Sequence, residues 1–137
     1  MNNRIEYLRT SEARAKLAAR FGLPYVDDMQ DWEWEWAWEV AAPERFDEFL
    51  RAYDAEDLSA AERFSLMEVL LQCVEESEPP ALAEARWEEI EPHLAGNLEL
   101  HRQTIEYWSC KGASEPDECF RITPRVRRVS ALASGGE

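Results

Sequence analysis

No run of apolar residues in this 137-residue chain approaches the ~18 that a bilayer crossing requires, so no membrane partner is expected. Glycine is scarce too. Five glycines build neither a P-loop nor a dinucleotide-binding turn, and neither motif occurs. The cysteines are three, Cys73, Cys110 and Cys119, and the opening MNNRIEYLRT lacks the apolar stretch of a secretory leader. The expected location is therefore the cytoplasm, with reduced thiols. Cys110 and Cys119 flank the loop KGASEPDE and would close a ring only in an exported protein.

Catalytic signatures are missing as well. There is no G-x-S-x-G elbow for a serine nucleophile and no H-E-x-x-H or H-x-x-x-H pair for a metal. A cysteine nucleophile needs a base and electropositive surroundings to lower its pKa. Cys73 instead falls among apolar residues, and Cys110 and Cys119 among carboxylates. Only two histidines exist. His93 and His101 are eight apart, with Glu89 and Asn97 at the same four-residue step, but Pro92 and Gly96 oppose the unbroken helix that would align them. No catalytic residue, metal or cofactor is assigned, and His101 reads as a core histidine hydrogen-bonded within the fold.

What the chain has in abundance is negative charge. Twenty-nine acids against fifteen bases give −14, unevenly spread. Residues 1–20 and 121–137 each carry a net +3, whereas residues 21–120 carry −20. Such a field repels nucleic acid and anionic membrane and speeds encounter with cationic proteins. The four C-terminal arginines, Arg121, Arg125, Arg127 and Arg128, are expected to fold back on the acidic body.

The most unusual stretch is DWEWEWAWEV, residues 31–40. On a strand, Trp32, Trp34, Trp36 and Trp38 point one way with Val40, and Glu33, Glu35 and Glu39 the other. On a helix, Trp32 and Trp36 would lie opposite Trp34 and Trp38. The alternation and the β preference of tryptophan favour the strand. Four indoles represent on the order of 800 Å², or nearly 20 kcal/mol of gross burial at ~25 cal/mol/Å². They must form core or meet another protein. In either case the carboxylate row, extended by Asp27, Asp28 and Asp31, is a candidate docking edge for a basic surface. The partner-binding candidates are thus Asp27, Asp28, Asp31, Trp32, Glu33, Trp34, Glu35, Trp36, Trp38 and Glu39.

Elsewhere the periodicity is helical. TSEARAKLAARFGLP offers Thr10 or Ser11 as a cap, Ala13, Leu17 and Phe21 on one face with the arginines on the other, and Gly22 after its end. APERFDEFLRAYD places Pro43 at a helix start and buries Phe46, Phe49, Leu50 and Tyr53. In LSAAERFSLMEVLLQCVEE, Ser59 and Glu62 form a capping box, and apolar residues on more than one side suit the central helix of a bundle. ALAEARWEEIEPHLAGN is kinked or restarted at Pro92 and ends at Gly96, and Asn97 caps LELHRQTIEYWSC. The fold class expected is mainly α: a compact bundle of four to five helices with one short β pair, residues 32–40 with 120–122. Residues 1–129 make a single acidic domain, with a last turn of helix from Thr123-Pro124 carrying Arg125, Arg127 and Arg128, and 130–137 a frayed tail.

The segment LSAAERFSLMEVLLQ, followed by W-x-x-I-E-P-H-L-x-x-N-x-x-L-H-x-x-T-I-x-Y-W, resembles small acidic helical bacterial proteins. In overall character the chain is similar to immunity proteins of interbacterial toxin systems. That resemblance implies a cytosolic, non-catalytic inhibitor that covers a basic toxin, and it assigns no residue. Two alternatives share the composition: a homo-oligomeric adaptor, such as a homodimer pairing through the tryptophan strand, and a DNA mimic whose carboxylates stand in for phosphates.

Overall fold

The computed structural model describes residues 11–23, 37, 40–55, 57–109 and 122–135. Among them are six α-helices and one 3₁₀ turn, and no strand. The chain divides into two compact units, Met1–Cys73 and Val74–Glu137.

In the first unit, α1 (Ser11–Phe21) carries Glu12 in its first turn and Arg20 in its last, both favourable to the helix dipole. It stops because Gly22 takes φ 70°, a left-handed conformation that costs glycine little, and the Leu23 N–H then reaches back to the Ala18 carbonyl at 2.8 Å. The buried face is Ala13, Arg14, Leu17, Ala18 and Phe21. Arg14 is a correction. It does not lie on the outer face with Arg20 but is 2% exposed, because positions 14, 17, 18 and 21 fall on a single helical stripe. Its Nε and Nη1 find no acceptor among the described residues.

The expected strand is also corrected where it can be checked. Ala37 and Val40 are helical, and the Ala41 N–H bonds to the Ala37 carbonyl at 3.0 Å, one α-turn. Both side chains are buried. A strand would send positions 37 and 40 to opposite faces, whereas a helix puts them on the same one. Local bonding also satisfies backbone groups that a strand would need a neighbour to pair. Ile122, the described residue of the proposed pairing strand, sits in the turn leading into a helix. Residues 32–36, 38, 39, 120 and 121 lie outside the described residues.

Pro43 opens a 3₁₀ turn, Pro43–Arg45, which passes into α2 (Phe46–Tyr53). Phe46, Phe49 and Tyr53 are buried and Leu50 half-buried. Arg45 joins this element to α1. Its Nη2 donates to the Phe21 carbonyl at 2.9 Å, its Nε and Nη2 grip the Glu48 carboxylate at 2.9 and 2.8 Å, and its guanidinium lies 5.9 and 5.3 Å from the Phe21 and Phe49 ring centres. The hydrogen bond from Arg45 holds the Glu48 carboxyl below its ordinary range, and the same bond raises Arg45. Arg20 lowers Asp57 in the same way, through a 3.2 Å hydrogen bond.

The loop after α2 is drawn together by Arg63. Its Nε donates to the Tyr53 carbonyl at 3.0 Å, Nη1 to Leu58 at 2.8 Å and Nη2 to Ala55 at 2.7 Å, and its guanidinium carbon is 6.0 Å from the Tyr53 ring centre. A cation placed on carbonyls at a helix C-terminus is favoured by the dipole as well as by the bonds. Removing it leaves three partly buried acceptors bare. Arg63→Ala is expected to cost about 3 kcal/mol, read as a lower denaturant midpoint at unchanged slope. Arg63→Lys should recover only part, since an ammonium cannot span three carbonyls as a planar fork does.

Helix α3 (Ala60–Glu76), whose last three residues belong to the second unit, begins at the expected capping box: the Ser59 N–H bonds Glu62 Oε1 at 2.8 Å and the Glu62 N–H bonds Ser59 Oγ at 3.1 Å. Ser59→Ala is expected to lower stability by about 1 kcal/mol, measurable by thermal or urea unfolding. Every residue from Phe64 to Leu71 is buried, so α3 is enclosed on all sides, as its apolar density implies.

In the second unit, α4 (Pro80–Ala95) has Pro80 at a first-turn position and buries Ala83, Trp87, Ile90 and Leu94 at helical spacing. It runs on through Pro92 instead of restarting there. The proline removes one N–H, and the Gly96 N–H closes the following turn on the Pro92 carbonyl at 2.9 Å. Asn97 does not cap the next helix. Its Nδ2 donates to the His93 carbonyl at 2.9 Å, and α5 (Arg102–Ser109) begins five residues later.

Thr104, Ile105, Trp108 and Ser109 of α5 are buried, as is His101 just before it, while Leu98 is half-buried. The largest extension beyond expectation is α6, Thr123–Gly135, a full helix where one turn and a frayed tail were anticipated. Ile122, Val126 and Val129 recur at i, i+4 and i+7 and are buried, which anchors it. Polar bonds fix its start. The Ile122 N–H meets Glu75 Oε1 at 3.1 Å, Thr123 Oγ1 donates to the Trp108 carbonyl at 2.9 Å, and Arg127 Nε to the Ser109 carbonyl at 2.7 Å. The last carbonyls of α5, which no intrahelical donor can reach, are met by α6.

Candidate functional site

The ten partner-binding candidates between Asp27 and Glu39 lie outside the described residues. What the structure does position is the acid of α4, in the second unit. With ~100° per residue, Glu84, Glu88 and Glu91 fall on one flank of this helix, and Leu82 and Glu89 on the other. Glu84, Glu88 and Glu89 are exposed and Glu91 half-buried. Leu82 is 36% exposed and, with Tyr107 at 40%, is one of the large apolar side chains reaching solvent. This arrangement is possible because Ala83, Trp87, Ile90 and Leu94 give the helix a buried stripe, which leaves the remaining positions free to carry charge.

Few cations answer these carboxylates. Arg125 of α6 pairs with Glu84. Arg86, on α4 itself, sends Nη1 to Ser77 Oγ at 2.9 Å. Glu88, Glu89 and Glu91 form no ion pair among the described residues. Several acids elsewhere are paired: Glu12 with Lys16, Glu48 with Arg45, Asp57 with Arg20 and Glu99 with Arg102. Glu44, Asp47 and Glu106 are also exposed and form no ion pair among the described residues. Sequence reasoning passed over the α4 cluster, although EARWEEIE spells the i, i+4, i+7 spacing plainly. The spacing alone does not say which flank stays exposed; the buried stripe of Ala83, Trp87, Ile90 and Leu94 decides that.

Of the C-terminal arginines, Arg125 folds back on an acid as expected. Arg127 goes to a backbone carbonyl instead, Arg128 is exposed with no ion pair among the described residues, and Arg121 lies outside them.

His101 is fully buried, and burial first, then the nearby charge of His93, push its pKa down to about 3. A general base is most effective with a pKa near the working pH, which this imidazole is far from at neutrality. Among the described residues no three His, Cys, Asp or Glu side chains converge as metal ligands. Cys73 is a buried free thiol, and Cys110 and Cys119 lie outside the described residues. Tyr53 is likewise held away from its ordinary range, pushed up to about 12 by burial against the opposing pull of Arg63. No helix among the described residues is long and apolar enough to cross a membrane. What the exposed groups can do is present fixed negative potential from a helix face. The chain matches no protein-family model, no curated protein and no solved structure.

Proposed function

We propose that this chain is a non-catalytic binding protein whose acidic surface engages a basic protein, in the manner of a bacterial cytoplasmic immunity or antitoxin-type inhibitor. The observation that carries this reading is that exposed Glu88 and Glu89 and half-buried Glu91 of α4 form no ion pair among the described residues, in a chain whose central hundred residues hold −20. Had the arginines of the C-terminal helix neutralised these acids, the reading would have lost its support. Among the described residues, Arg125 pairs with Glu84. The homo-oligomeric alternative leaned on an extended tryptophan segment, and the helical backbone at Ala37 and Val40 weakens it.

Capture from a source lysate at low and at high ionic strength tests the proposal. A basic protein should be retained at low salt and released as salt slows its association. Retention of no basic protein under either condition would remove the reading. With a partner in hand, Glu88→Lys, Glu89→Lys and Glu91→Lys combined are expected to slow association roughly tenfold at low salt, with a smaller effect at high salt. Stopped-flow or surface-binding kinetics would show it. An unchanged rate would move the contact away from α4 while leaving the acidic-binding proposal standing.

A further inference from the structure

We draw no further inference here: the strongest candidate, the guanidinium of Arg14 buried on the inward stripe of α1 with Nε and Nη1 unmatched among the described residues, carries nothing because nothing in the structure shows whether a carboxylate of this chain or a ligand covers it.

Discussion

Lowering the pH from 7 to 5 is expected to cost the folded chain about 2 kcal/mol through His101 alone. The imidazole titrates at about 3 when folded and near 6.5 when unfolded. Between those values the unfolded chain holds a proton that the folded one refuses. Stability from this group is therefore complete above the unfolded value and drains away as pH falls toward the folded one, at about 1.4 kcal/mol per unit. The cause is desolvation: an imidazolium at this position would lose its water. Glu48 and Asp57, both held below the ordinary carboxylate range by arginines, act in the same direction, but only once the pH reaches the unfolded carboxylate range near 4. Among the described residues, the interval from pH 7 to 5 therefore singles out this histidine. Urea unfolding at half-unit steps should give a sloping wild type and a nearly flat His101→Gln variant. Equal slopes in the two would mean that the folded core accepts the charged ring, contrary to the burial argument.

Phe49→Ala should be the most damaging of the single substitutions considered, at about 4 kcal/mol. The ring is fully buried, meets Phe21 edge-on at 4.9 Å between centres with an 82° interplanar angle, and has the Arg45 guanidinium 5.3 Å from its own centre. One truncation thus opens a cavity, removes the aromatic pair and takes away part of the surface that steadies Arg45, which also binds the Phe21 carbonyl. Phe49→Leu separates these effects. It retains most of the volume and forfeits the ring interactions, for a loss of about 1–2 kcal/mol. If leucine proved as costly as alanine, volume would not be what matters at this position.

Much of the fold was legible because it rests on local rules. The Ser59–Glu62 box, the left-handed Gly22 and the enclosed α3 all follow from residues within a few positions of one another. The misreadings share a different cause. Arg14 was placed by its charge, although its register put it in the apolar stripe. Pro92 was treated as a break, although a proline late in a helix removes one donor that the remaining turns can do without. The start of α6 was legible but its length was not, because the Ser and Gly residues near the chain end suggested fraying; the burial of Ile122, Val126 and Val129 anchors the helix at its start. Alternation in DWEWEWAWEV suggested a strand, yet the residues of that stretch that are described, Ala37 and Val40, are helical. The site was less legible still, because a helical row of glutamates looks, letter by letter, like any solvated face.

The bonds that seat α6 also change how the terminal arginines are felt from outside. Arg127 rests on a carbonyl at the negative end of α5, and Arg125 on Glu84, so each cation is matched within hydrogen-bonding distance by an opposing partial or full charge. Such close dipoles fade quickly with distance in salt water. A macromolecule about one Debye length off would therefore sense little of Arg125 and Arg127, and would respond more to Glu88 and Glu89 of α4 and to the exposed Arg128.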